Sequence, residues 1–82
     1  QGVWSIMFKA VPFTNNQITI KSDLKVEQDV EFLIYNNAGQ LIQYGQYIGQ
    51  EQTIPFDQPS GMYIIKFKNE IGHEQYCKFV KM

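Results

Sequence analysis

The clearest pattern in the chain is a short stretch, residues 30–35, in which nearly every position is apolar. Successive side chains of a strand point to opposite faces, so Val30, Phe32 and Ile34 would share one face. Leu33 and Tyr35 would lie on the other face. Apolar residues on both faces are typical of a central strand that is covered on both sides. This stretch therefore predicts the central strand of a sheet.

Other segments alternate apolar and polar residues with a period of two, which predicts strands with one buried and one exposed face. Turn-forming residues separate them at intervals of about 8 to 12 residues, and no segment has the period of an amphipathic helix.

We interpret 10–16 as a loop because it contains Pro12 and two adjacent asparagines. Segment 22–29 is either an edge strand or an extended connection, and we take it as a connection. Gly49 is expected to end a strand. The predicted strands are 3–8, 17–21, 30–35, 40–47, 52–56, 63–68 and 73–80.

Two glycine-containing turns are expected to define the strand connections. Gly39 closes the hairpin after residue 35, because a tight hairpin needs left-handed backbone conformations. Gly61 follows Pro59 at the corner before residues 63–68, and a glycine accepts a positive φ without steric cost. Tyr63, two residues later, is expected to donate its hydroxyl to the main chain a few residues upstream, as in immunoglobulin-like sandwiches. The pattern therefore predicts an all-β, immunoglobulin-like antiparallel sandwich of about seven strands.

Length and charge narrow the classes of function. The 82 residues are enough for one domain, 1–82, in which Gln1 and Gly2 are a candidate cleavage or cloning remnant. Hydrophobic residues make up 44% of the chain against 18% charged residues, which favours a folded domain over a disordered segment. A net charge of −1 provides no field to attract nucleic acid. No apolar run approaches the ~18 residues of a membrane-spanning helix, so we expect no direct membrane insertion.

The residues that could support catalysis or metal binding are few. His73 and Cys77 are the only histidine and cysteine, and their spacing on a strand separates them by ~13 Å. One of each cannot build a typical zinc site. Glu27, Asp29 and Glu31 alternate, which solvated strand positions explain more simply than a calcium site. We therefore expect no enzymatic activity, no catalytic residues, no cofactor and no metal.

Three tyrosines leave a binding function open. Tyr35, Tyr44 and Tyr47 could form a flat platform for a sugar, although such residues are more often cross-strand pairs on a half-buried sheet. An exposed coplanar set would favour the binding function. Gly45, between two of them, indicates a bulge or a close backbone approach.

The strand pattern continues to the last residue. Residues 77–82 alternate without a polar tail, although chain ends usually loosen unless they are tied down. Such a segment either closes the sheet or is an element that another protein reads by strand addition. From the residues alone we favour the first interpretation.

Four segments, taken in order and spacing, resemble a known family. They are Val11-Pro12-Phe13 before Gln17-Ile18-Thr19-Ile20, then Ile34-Tyr35-Asn36-Asn37-Ala38-Gly39-Gln40-Leu41, then Ser60-Gly61-Met62-Tyr63-Ile64-Ile65, and finally Lys78-Phe79-Val80-Lys81. The chain from about residue 8 to residue 82 resembles the C-terminal sorting domains of cargo proteins of the type IX secretion system (Por secretion system) of Bacteroidetes.

The resemblance implies a non-catalytic C-terminal signal that directs a cargo through the outer-membrane translocon. It implies passage through the periplasm, a sortase-like surface-attachment protease as a second partner, and a final location at the cell surface or outside the cell. Lys78, Phe79, Val80 and Lys81 would be the sorting signal by this resemblance, with Gly39, Gly61 and Tyr63 as fold determinants. An edge strand is also open to pairing with a second copy. The alternative is a small secreted immunoglobulin-like binding or spacer module of a Bacteroidetes surface protein, for carbohydrate or protein.

Overall fold

The computed structural model describes residues 4–13 and 16–82. Their regular structure is entirely β, in one hydrogen-bonded antiparallel sheet of five strands. The strands are β1 (Phe8–Phe13), β2 (Gln17–Tyr35), β3 (Leu41–Pro55), β4 (Gly61–Asn69) and β5 (Glu74–Lys81). None of the described residues forms a helix long and apolar enough to cross a membrane.

The two long strands, β2 and β3, take part in both layers of a sandwich. The first half of β2 lies between β1 and the second half of β3, with Ile18 opposite Ile54. The second half of β2 lies between the first half of β3 and β4, with β5 beyond β4. Phe8 of β1 stacks on Phe67 of β4 with ring centroids 4.1 Å apart, although these strands are not paired. The two halves of the sheet therefore face each other across a shared core.

The bend between the layers is held by a buried hydrogen-bonded pair. The register of β2 against β3 shifts between Lys21 and Val26, where Gly49 has a φ of 87°. The Ser22 hydroxyl donates to the Leu24 carbonyl at 2.8 Å and accepts from the Tyr47 hydroxyl at 3.0 Å. Strands that change layer commonly do so at bends and bulges.

The core is apolar and rich in aromatic rings. Its buried members come from all five strands and from Phe56, just after β3. They are Phe8, Ile18, Ile20, Val26, Val30, Phe32, Ile34, Tyr47, Ile54, Phe56, Tyr63, Ile65, Phe67 and Phe79. Both layers contribute, so the core depends on β2 and β3 crossing between them.

The two hairpin loops repeat one design. Asn36 accepts hydrogen bonds from the backbone of residues 38 and 40 through its Oδ1, at 2.9 and 3.0 Å. Asn69 Oδ1 likewise accepts hydrogen bonds from the backbone N–H groups of residues 71 and 73, at 3.2 and 2.9 Å. The glycines three residues after each asparagine, Gly39 and Gly72, have φ values of 83° and 94°. Both loops thus share the pattern Asn-x-x-Gly, in which the asparagine side chain accepts hydrogen bonds from N–H groups of the loop backbone.

The structure corrects the predicted strand boundaries. The class, an antiparallel β-sandwich, is confirmed, but five strands replace about seven, because 17–35 and 41–55 are continuous. Segment 22–29 is part of β2, and Gly49 bends β3 without ending it. The first strand runs from Phe8 to Phe13 and not over 3–8, and it includes part of segment 10–16, which the sequence predicts to be a loop. Pro12 is tolerated because β1 is an edge strand. Gln1, Gly2 and Val3 lie outside the described residues.

Candidate recognition surface

Strand alternation divides the four residues of the expected sorting signal into two pairs. Phe79 is buried in the core and Lys81 is half-buried. Lys78 and Val80 are exposed. One pair therefore holds β5 in place, and the other pair is accessible to a partner.

Lys81 ties the end of β5 to two neighbouring loops. Its Nζ donates to Asn16 Oδ1 at 2.9 Å, to the Phe56 carbonyl at 3.1 Å and to the Gln58 carbonyl at 2.5 Å. The same Nζ lies 5.8 Å from the centroid of the Phe56 ring. An ammonium group has three donors, so three acceptors satisfy it fully. Lys81 is accordingly a tether of the strand.

The corner before β4 packs against the same end of β5. The Tyr63 hydroxyl donates to the Pro59 carbonyl at 2.6 Å, which is the hydrogen bond that the sequence predicts. The Tyr63 and Phe56 rings meet edge to face at 4.9 Å, and Tyr63 stacks on Phe79 at 5.6 Å. Gly61 has a φ of 152°. The corner and the buried side of β5 thus form one aromatic cluster.

The outward side chains of β4 and β5 form a continuous surface. Met62 pairs with Val80, and Ile64 pairs with Lys78. Tyr76 precedes them on β5 and is exposed. We call these five residues, Met62, Ile64, Tyr76, Lys78 and Val80, the β4–β5 patch.

A groove of about 460 Å³ shares Ile64, Tyr76 and Lys78 with the patch. Tyr35, Ile64 and Tyr76 supply its apolar lining, and Lys78 also lines it. A second concavity of about 420 Å³ is lined by Met62 and by the hairpin loop at Asn36 and Asn37, which also lines the first. The patch is therefore flanked by a concave surface.

Two lysines lie on or near the patch, and only one of them, Lys66, has an ion-pair partner in the part of the chain that the structure describes. Lys66 Nζ lies 3.7 Å from Glu74 Oε2 and 5.8 Å from the centroid of the Tyr35 ring. The Tyr76 hydroxyl donates to Glu74 Oε1 at 3.1 Å, and this hydrogen bond, with some burial, raises the pKa of Tyr76. Lys78 makes no ion pair with any residue of 4–13 or 16–82. Lys78 is therefore the positive charge of the patch that is available to a partner.

The residues considered for chemistry do not come together as a site. His73 lies in the loop before β5, and Cys77 is half-buried on β5. Burial raises the pKa of the Cys77 thiol from 9.0 to about 11, against a smaller opposing effect of a hydrogen bond with the Ala10 backbone. Glu27 and Asp29 are both exposed on β2. Within the described ranges no three His, Cys, Asp or Glu side chains are grouped closely enough to hold a metal ion.

The three tyrosines proposed as a platform are dispersed. Tyr47 is buried in the core, where burial raises its pKa against the smaller effect of the Ser22 hydrogen bond. Tyr44 is exposed and Tyr35 is half-buried. They do not form the exposed coplanar set that a sugar platform would require.

The sorting signal expected from the sequence lies on β5 alone and does not include the β4 half of the patch. Met62 and Ile64 belong to segment 60–65, which carries part of the family resemblance. The signal was available, because positions 62 and 64 alternate with the core residues 63 and 65. What the pattern could not supply was the register that places Met62 beside Val80.

Comparisons with family models and with solved structures each cover most of the chain. The family model described as "Secretion system C-terminal sorting domain" matches residues 12–82. The chain belongs to this family. No curated protein matches the chain at a significant level. Among solved structures, the sorting domain is similar to CopC from Methylosinus trichosporium OB3b, with 22% identity and a TM-score of 0.56. The match covers 87% of this chain and 74% of that one, and at this identity it shows the β-sandwich fold alone.

The family defines the function at a general level. The sorting domain is a C-terminal secretion signal of the type IX system, and such signal domains are in general not enzymes. It interacts with the secretion machinery, and it marks a protein that is exported to the cell surface or the extracellular space.

Proposed function

We propose that residues 1–82 form one folded domain whose last strand is read by the outer-membrane translocon, after the attached cargo has reached the periplasm. In this proposal a sortase-like protease then separates the domain from the cargo at the cell surface. The supporting observation is that Phe79 and Lys81 hold β5 through contacts with the core and two loops, while Lys78 and Val80 face outward. The domain carries no catalysis of its own.

The proposal assigns different roles to the four signal residues. Phe79 packs against Phe56 and Tyr63, and Lys81 bonds to three oxygen atoms, so both position the strand. Lys78 and Val80 make the contact with the translocon. Gly39, Gly61 and Tyr63 support the loops that hold this geometry. Deleting the last residues would remove both roles at once, so point variants are the better test.

The test uses a fluorescent cargo carrying residues 1–82 at its carboxyl end, in a bacterium that has a type IX system. The double variant Lys78→Ala with Val80→Thr should lower the exported fraction about tenfold, the effect of losing one strong contact in an interface. The matched control, Lys25→Ala with Ile48→Thr, changes an exposed lysine and an exposed apolar residue away from β5 and should export normally.

Thermal unfolding of both purified variants checks that each domain is folded. Normal export of a folded Lys78→Ala, Val80→Thr variant would contradict the proposed role of the last strand.

A further inference from the structure

We infer that the secretion machinery binds the whole β4–β5 patch, so that its recognition element is a surface of two strands and not the linear segment 78–81. This inference rests on the proposed function and specifies the surface and the partner chemistry. It adds Met62, Ile64 and Tyr76 to the residues that the partner contacts.

The first step of the argument is the register of the two strands. Val80 lies directly opposite Met62, and Lys78 lies opposite Ile64. Directly paired residues of an antiparallel sheet have Cβ atoms only about 5 Å apart on the same face. A protein that covers the Val80 side chain must therefore also touch Met62. The outward residues of β5 cannot be read in isolation.

The second step is the apolar character of the patch. Met62 is 46% exposed, Val80 is 48% exposed and Tyr76 is 62% exposed, and Ile64 continues the surface between them. Contiguous exposed apolar residues rimmed by polar ones mark interaction sites, whereas scattered ones are normal. Leu24 and Ile48, also exposed, lie near the bend between the layers, and Ile71 lies in a hairpin loop. Leu41 and Tyr44 are exposed on β3, which β2 separates from β4.

The third step is charge. Lys78 stands among these apolar side chains without an ion-pair partner in the described ranges, whereas Lys66 beside it is paired with Glu74. Interfaces place opposite charges against each other, which guides association and fixes orientation. The partner that fits is a protein surface with an apolar ridge, which enters the groove between Tyr35 and Tyr76, and a carboxylate that meets Lys78.

The decisive variant lies on β4, outside the linear segment. Met62→Thr shortens an exposed apolar side chain and keeps a residue that suits a strand. We expect it to lower export of the fluorescent cargo about fourfold, as the single change Val80→Thr should, because each removes a small apolar contact from one interface. Ile48→Thr, the same kind of change on β3, should export normally. Met62→Leu, which keeps the apolar contact, should export normally.

Charge provides a second, independent measurement. Lys78→Glu should lower export more than Lys78→Ala, because it places two carboxylates together, whereas Lys25→Glu on β2 should have no effect. Thermal unfolding of each purified domain shows whether the variant is folded. Normal export of Met62→Leu together with low export of a folded Met62→Thr would show that the apolar contact is what the partner needs.

The outcomes distinguish this inference from the function on which it rests. Normal export of Met62→Thr together with impaired export of Val80→Thr would overturn the two-strand surface and leave the terminal strand as the signal. Normal export of Met62→Thr, Val80→Thr and both Lys78 variants would overturn the proposed function as well.

Discussion

At the scale of single residues, the ring of Phe32 leaves no room for a side chain at Gly45. Gly45 lies opposite Phe32, and a Cβ atom built on it would come within 2.8 Å of Phe32 Cζ. Phe32 is buried, so the ring has little room to move. The close approach expected from the sequence is therefore made by a side chain and not by another backbone.

The variant Gly45→Ala should destabilise the domain by about 1–3 kcal/mol, the usual cost of overpacking a core. Urea unfolding of the purified domain measures this change. Gln46→Ala, at the next position of the same strand and exposed, is the control and should change stability by less than about 0.5 kcal/mol. Equal stability of the two variants would show that the Phe32 ring moves aside freely.

The sequence predicts residue roles well where chemistry is local. Tyr63 bonds to a carbonyl four residues upstream, and Gly39 sits in its own hairpin, so both could be identified from a few neighbours. Tyr47, a candidate for the exposed tyrosine platform on the sequence alone, is buried, and Tyr35 is half-buried. Their positions depend on how distant strands pack, which local patterns do not contain.

At the scale of strands, glutamine side chains form hydrogen bonds with backbone groups of β3 that do not pair with another strand. The amide of Gln52 accepts from the Ile48 N–H and donates to the Gln46 carbonyl, both at 3.1 Å. It thereby binds two backbone groups of β3 as a neighbouring strand would. Gln43 and Gln50 likewise donate to backbone carbonyls. Unpaired strand edges invite association with other chains, so these amides protect the fold.

Replacing Gln52 by Ala should release the Ile48 N–H. We expect its hydrogen exchange to accelerate about fivefold, since a hydrogen bond contributes on the order of 1 kcal/mol. Amide-resolved exchange measured by NMR tests this expectation. The control is Gln50→Ala, which frees a carbonyl of residue 23 and leaves Ile48 bonded. An unchanged exchange rate at Ile48 in the Gln52 variant would mean that the side chain does not protect this edge.

Strand existence was easier to predict than strand length. Alternation identified the residues of β4 and of the second half of β2, where one face is buried throughout. It missed the continuity of β2 through segment 22–29, because a strand that crosses from one layer to the other changes which of its faces is buried. The Ser22 and Tyr47 pair that holds this crossing joins residues 25 positions apart, and no local pattern reveals it.

At the scale of the whole molecule, the half-buried thiol of Cys77 and the buried hydroxyl of Tyr47 make the stability of the domain depend on pH in the alkaline range. Burial raises the pKa of the Cys77 thiol to about 11 and also raises the pKa of Tyr47. Both groups are therefore harder to deprotonate in the folded state than in the unfolded chain. The contribution of the thiol is fully present below pH 9.0, its ordinary pKa, and is lost as the pH rises towards 11. The contribution of the tyrosine is fully present below pH 10.0, its ordinary pKa, and is lost at higher pH.

We expect the free energy of unfolding to fall between pH 9 and pH 11, and to fall less steeply in Cys77→Ala, where only the tyrosine contribution remains. Urea unfolding at a series of pH values measures both slopes. Alkylation of the native thiol at pH 8 provides an independent readout. It should be about 100-fold slower than in the unfolded chain, because two pKa units reduce the thiolate by that factor. Identical slopes in the two proteins, with rapid alkylation of native Cys77, would place this side chain in solvent and not between β1 and β5.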